Sequence, residues 1–233
     1  MIYTPQVLLL HGALGNRKSF ARIENLLNEN FEIHSLDFSG HGEESIEEDD
    51  NFSIELFSKN VIDHLNKNKI ERINIFGYSM GGYVALNMCI SNPDRVEKVF
   101  TLGTKIFWTQ EDAEKEIRML DADKMIQKIP SFVDELQRRH TKTDWRIMLK
   151  KTAEMMINLG NNNLLSEGVL SAIQHIVRLG IGDKDSMAGV EDTINAYKYL
   201  PNAQLEVFPN MLHPLEKINN KKLAASVKDF FKE

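Results

Sequence analysis

A chain of 233 residues, 42% hydrophobic and 27% charged, has the size and composition of a globule that buries its own core without staples. Its formal charge of −6 offers no basic face for nucleic acid, and its single cysteine, Cys89, excludes an internal disulfide or a cysteine-based metal cluster. The first six residues lack a basic leader region, and no run approaches the roughly 20 apolar residues of a membrane span. The expectation is a cytoplasmic protein with neither a nucleic-acid nor a membrane partner.

In chain order, an apolar strand at 7–10 leads into His11-Gly12-Ala13-Leu14-Gly15, and a helical pattern follows at 17–28. A second strand at 32–36 leads into Asp37-Phe38-Ser39-Gly40-His41-Gly42. An acidic run comes next (Glu43-Glu44, then Glu47-Glu48-Asp49-Asp50), read as a solvated loop that disfavours polyanionic substrates. A helix at 54–66, a strand at 72–76, a helix at 80–91 and a strand at 96–102 continue the alternation. It resumes late, with strands at 176–180 and 204–208 and helices at 190–199 and 220–231. Strands alternating with helices predict an α/β fold: a mostly parallel sheet of about six strands flanked by helices.

The rhythm fails between the fourth and fifth strands. From 105 to 165 only amphipathic helical patterns occur, with Thr109 as an N-cap before acidic residues and breaks at Pro130 and at Gly160-Asn161-Asn162-Asn163. This stretch reads as a helical cap inserted before the last two strands, dividing the chain into a core (1–104 and 166–233) and the insertion.

Between the third strand and the next helix stands Gly77-Tyr78-Ser79-Met80-Gly81-Gly82. A residue at the tip of a tight strand–turn–helix is pushed into the crevice at the carboxyl ends of a parallel sheet. Its backbone is strained, so glycine is favoured two residues away on either side. Gly82 lets the helix lie close to the sheet. A serine hydroxyl is a poor nucleophile unless a base takes its proton and a carboxylate orients that base. Of seven histidines, His213 alone follows directly on the last strand. His34, His64, His140 and His175 fall in strands, helices or the insertion, and His11 and His41 read as loop braces. Asp183 and Asp185 both follow the preceding strand, in Gly182-Asp183-Lys184-Asp185. Cys89, on the apolar face of the helix after Ser79, reads as a core filler.

The glycine-flanked Ser79, the late Gly-Asp-Lys-Asp, the C-terminal His213 and the early His11-Gly12 together resemble the α/β-hydrolase superfamily, in the order Ser–acid–His. The resemblance covers nearly the whole chain outside the insertion. It implies that the last aspartate of the G-x-x-D motif, Asp185, is the triad acid, and that the backbone amides of Ala13 and Met80 form an oxyanion hole. Some relatives carry the acid one strand earlier, where this chain has Leu102-Gly103-Thr104. The family usually opens with a hairpin ahead of the His-Gly strand, and only six residues precede Val7, so that hairpin is missing or vestigial.

What the resemblance implies is a serine hydrolase acting on a small-molecule carboxylic ester, thioesters included, with no cofactor and no metal. Ser79 sets the chain apart from branches with an aspartate nucleophile. The menaquinone-pathway lyases, similar around Ser79, tend to carry arginine where Tyr83 stands. A non-hydrolytic lyase, or a ligand-binding receptor of the same fold, is the alternative. The insertion's methionines, among them Met119, Met125, Met148, Met155 and Met156, suit an apolar acyl pocket. By position, Leu14, Trp108, Met187 and Leu212 are the expected pocket residues.

Overall fold

The computed structural model describes residues 4–47 and 49–232. Six strands form one sheet: β1 Gln6–Leu10, β2 Glu32–Ser35, β3 Ile73–Tyr78, β4 Val96–Leu102, β5 Ile176–Gly182 and β6 Ala203–Phe208. Their order is β2-β1-β3-β4-β5-β6, and every neighbouring pair is parallel. Among the described residues no hairpin precedes β1.

Successive side chains of a strand face opposite sides of the sheet. In β1, Val7 and Leu9 enter one core while Leu8 and Leu10 enter the other. The first core is closed by α1 Ala21–Leu27 and α10 Asn220–Lys232, where Phe20, Ile23 and Leu27 meet Leu223, Val227 and Phe230. The second lies under α2 Ile54–Lys67, α3 Met80–Ser91 and α9 Val190–Tyr199. α3 is buried from Met80 through Leu86, as its continuous apolar sequence demands. Cys89 is a free, buried thiol in its wall, and burial pushes its pKa up to about 12.

Between β4 and β5 the chain passes through α4 Gln110–Ile117, α5 Ala122–Lys128, α6 Pro130–Arg139, α7 Trp145–Asn161 and α8 Glu167–Ala172, with no strand. Thr109 caps α4: its hydroxyl accepts from the Asp112 amide, and the Asp112 carboxylate accepts from the Thr109 amide. Pro130 opens α6 at the position where its missing N–H costs nothing. α7 ends at Asn161, within the Gly160–Asn163 run that the sequence marks as a break, and Gly160 itself is still helical. It lies inside the helix where α4 crosses, and a Cβ there would stand 2.8 Å from both the Thr109 carbonyl oxygen and the Ala113 Cβ. α8 is too short for periodicity to reveal. The acidic run lies between β2 and α2; Glu43 is paired with Arg17 and Lys18, and Glu48 lies outside the described residues.

Candidate active site

The chain leaves β1 for β2 on one side of the sheet and enters β3 on the other, so the loops after β1 and β3 part at their carboxyl ends. Such a switch point opens a crevice. Leu10 pairs with Gly77 there, placing the His11–Gly15 turn beside the Ser79 turn.

Ser79 sits at φ 52°, ψ −118°, a backbone conformation L-residues avoid. Its N–H donates to the Leu102 carbonyl at 2.8 Å, and its own carbonyl accepts from Gly82 N–H and from the Thr104 hydroxyl. The flanking glycines are required by close approach. A Cβ on Gly77 would stand 2.5 Å from the Gly81 oxygen, and one on Gly81 would stand 2.2 Å from the Leu10 oxygen. A Cβ on Gly82 would reach Thr104 Oγ1 at 2.0 Å. The turn that carries the serine is thus packed so closely against its own helix start, the end of β1 and Thr104 that these three positions have no room for a side chain.

Asp185 and His213 come from the adjacent loops after β5 and β6. His213 Nδ1 donates to Asp185 Oδ2 at 2.8 Å, which leaves Nε2 as the ring's acceptor. The other carboxylate oxygen accepts from the amides of Met187 and Ala188, at 3.0 and 2.9 Å. Burial works against the Asp185 charge, but the His213 bond and charge, with those two amides, outweigh it and hold the pKa below the ordinary aspartate value. The Asp183 carboxylate instead accepts from Met211 N–H at 3.2 Å and braces the loop that carries the histidine. Of the two aspartates in the motif, Asp185 alone reaches the ring.

The Ala13 and Met80 amides have no hydrogen-bond partner among the described residues. The Gly12 carbonyl accepts from His11 Nδ1 at 2.8 Å and from Gly15 N–H at 3.1 Å. A trans peptide points its N–H opposite its C=O, so anchoring the Gly12 oxygen turns the Ala13 N–H the other way. His11 Nε2 accepts from Phe38 N–H, which fixes the tautomer, and burial lowers the His11 pKa to about 4. His41 is also buried, with Nδ1 donating to the Ser39 carbonyl. Both histidines brace loops.

Ser79, Met80, Ala13 and His213 line one cavity of about 170 Å³. Leu14, Trp108 and Met187 are in its wall, together with Leu120, Met155, Met156 and Leu159 from the insertion. Leu212 is not. It is 42% exposed, because its neighbour His213 takes the inward-facing place in the loop. Met119 likewise points outward, 64% exposed. Sequence reading overlooked three contributors. The Tyr78 hydroxyl donates to the His213 carbonyl at 2.7 Å. Gly103, at φ 60°, leaves room for the Asp–His pair, since a Cβ there would stand 3.0 Å from Asp185 Oδ2. Lys105 enters the cavity wall beside the Trp108 ring and pairs with Asp112 at 3.0 Å. For Gly103 the available signal was its place directly after β4, beside the strand end that carries Asp185.

No group of three or more His, Cys, Asp or Glu side chains is placed to hold a metal ion among the described residues. No described helix is long and apolar enough to cross a membrane.

A family model described as the alpha/beta hydrolase fold matches residues 5–141, more than half of the chain. A probable alcohol acetyltransferase of Cyberlindnera fabianii is 34% identical over 102 residues, 42% of this chain and 26% of that protein. A serine hydrolase-like protein of Homo sapiens is 33% identical over 109 residues, 46% of this chain and 54% of that one. The match thus spans about half or less of the length of these curated relatives. Among solved structures, 2-hydroxy-6-oxo-6-phenylhexa-2,4-dienoate hydrolase from Rhodococcus sp. strain RHA1 aligns with a TM-score of 0.84 at 19% identity, covering 99% of this chain and 91% of that one. That likeness is one of fold.

Proposed function

The chain belongs to the alpha/beta hydrolase fold family, and from that premise we propose that it is a serine hydrolase cleaving a carboxylic ester or thioester with a small, largely apolar acyl group. The observation that carries the proposal is the meeting of three features in one apolar cavity: a strained, backbone-supported serine, a histidine oriented by a buried carboxylate, and two unpaired amides. Similarity to a protein named serine hydrolase-like supports the same reading.

In the proposed reaction Ser79 Oγ attacks the acyl carbon as His213 Nε2 accepts its proton. The Ala13 and Met80 amides receive the oxyanion, each such donor typically being worth about 10²–10³ in rate. His213 then protonates the departing alcohol or thiol, with Asp185 stabilising its imidazolium, and water repeats the cycle on the acyl-enzyme. Ser79 and His213 line the same cavity, and the hydrogen bond between a nucleophile and its base commonly tightens when substrate enters. We assign residues 105–165 the role of a cap whose α7 side chains shape the acyl end.

The test is hydrolysis of p-nitrophenyl esters of increasing acyl length, with Ser79→Ala beside the wild type. Wild-type turnover that falls about 10⁴–10⁶-fold in the mutant is expected. Equal rates across the whole panel would overturn the proposal and favour a lyase or a ligand-binding role.

A further inference from the structure

The C-terminal end of α6 reaches out of the insertion to the turn that carries the Ala13 amide. Arg139 Nη1 donates to the Leu14 carbonyl at 2.9 Å, and His140 Nε2 lies 3.0 Å from the same oxygen. The tautomer of His140 is determined by its other nitrogen: Gly42 N–H donates to Nδ1 at 2.8 Å, so the ring hydrogen sits on Nε2 and points at Leu14. Two backbone-directed bonds complete the joint. Asn16 Nδ2 donates to the Arg139 carbonyl at 3.3 Å, and Thr141 N–H donates to the Gly42 carbonyl at 3.0 Å.

Leu14 needs such support. It holds φ 59°, in the left-handed region that a leucine avoids, while its side chain lines the catalytic cavity. A turn that places a non-glycine residue there persists only when its surroundings over-determine it. His11 holds the turn from the sheet side through the Gly12 oxygen, and the α6 end holds it from the insertion side through the Leu14 oxygen. Burial lowers the His140 pKa to about 4, so the ring remains the neutral tautomer described at ordinary pH.

We propose that His140, with Arg139, is a positioning residue: it locks the Gly12–Gly15 turn from the insertion and so holds the Ala13 amide toward the carbonyl that Ser79 attacks. The inference rests on the reading of that amide as an oxyanion donor. It makes the insertion part of the catalytic frame as well as a wall of the pocket.

Two substitutions divide the ring's functions. In His140→Gln the amide nitrogen stands where Nε2 was and keeps the bond to Leu14, while the Gly42 contact is lost. In His140→Asn the amide oxygen stands where Nδ1 was and keeps the Gly42 contact, while the Leu14 bond is lost. Because Gly15 N–H closes the turn on the Gly12 oxygen, its hydrogen exchange measured by NMR reports the turn without any substrate. Expected is faster Gly15 exchange and a roughly tenfold lower kcat with little change in KM for His140→Asn, and near-wild-type behaviour for His140→Gln; a tenfold loss is a fraction of what one oxyanion donor supplies. Adding Arg139→Met to His140→Asn should deepen both effects. Equal exchange and equal kcat in the two single variants would overturn the proposal, as would a loss that appears in KM alone. Exchange that responds as expected in a protein without ester turnover would uphold the lock and overturn the proposed reaction instead.

Discussion

Tyr78, the last residue of β3, hands its hydroxyl to the carbonyl oxygen of His213 at 2.7 Å, and its ring lies 5.4 Å from the imidazole. The strand that leads into the Ser79 turn therefore also holds the backbone of His213. Burial raises the Tyr78 pKa, so the hydroxyl remains a donor throughout the working range of pH.

Tyr78→Phe keeps the ring and removes only that tether. The His213 loop then keeps the Asp185 bond, the Asp183 brace on Met211 N–H and the Lys184 bonds to the Met211 carbonyl and Asn210. The expected result is a kcat about tenfold lower with KM within twofold, and a stability loss of about 1 kcal/mol, the net worth of a typical hydrogen bond. Steady-state kinetics and urea unfolding check both. An unchanged kcat would show that the loop keeps its place without the tyrosine.

The Ser79 backbone predicts a trade between stability and activity. At φ 52° and ψ −118° any L-residue is strained by about 1–3 kcal/mol, whereas glycine is not. Glycine gives back about 0.5–1 kcal/mol through its more flexible unfolded chain. Ser79→Gly should therefore be more stable than Ser79→Ala by about 1 kcal/mol, with both inactive. Urea unfolding of the two variants side by side measures the difference, and a less stable glycine variant would mean that the turn carries no strain.

Much of this site was legible because chemistry demanded particular residues at strand ends. The Gly77–Gly82 run announced the turn, and α3 spans the 80–91 predicted for it because apolar periodicity and the turn agree on where it begins. Chain order paired Asp185 with His213, although the aspartate was chosen over Asp183 only through family resemblance. What stayed hidden depends on contacts between distant segments. Nothing local to Tyr78 says that it bonds to a carbonyl 135 positions later, or that His140 meets Leu14 across 126. Leu212 illustrates the limit in a loop: once His213 turns inward, its neighbour turns out, and no periodic pattern reports which of the two does so.

Three buried histidines make the fold sensitive to acid. Burial holds His11 and His140 at about 4, and pushes His41 well below the ordinary histidine value. Between about pH 6.5 and about 4 the unfolded chain binds these protons and the folded chain does not. Stability therefore falls as pH falls through this window, by up to about 1.4 kcal/mol per unit for each histidine. His41 Nε2 is buried without a partner among the described residues and its ring stacks on Phe52, so His41→Phe removes a titrating group from an aromatic nest. The variant should lose one proton of this pH dependence while staying within about 1.5 kcal/mol of the wild type at pH 7. Urea unfolding at pH 7 and pH 5 gives the comparison. An unchanged slope would mean that His41 is protonated in the fold.

Met156 offers a handle on the acyl end of the cavity. It lies on α7 in the cavity wall and is only half buried, so truncating it enlarges the cavity at modest cost to the core. Each methylene moved from water into an apolar pocket contributes up to about 0.8 kcal/mol, or roughly fourfold in kcat/KM. In a p-nitrophenyl ester series the wild-type kcat/KM should climb with acyl length until the wall is reached and then break. Met156→Ala should move that break to a longer chain while leaving the acetyl ester unaffected, because the short acyl group never reaches α7. A break at the same length in both proteins would place the acyl group on the other side of Ser79, toward Leu14 and the turn it shares with Ala13.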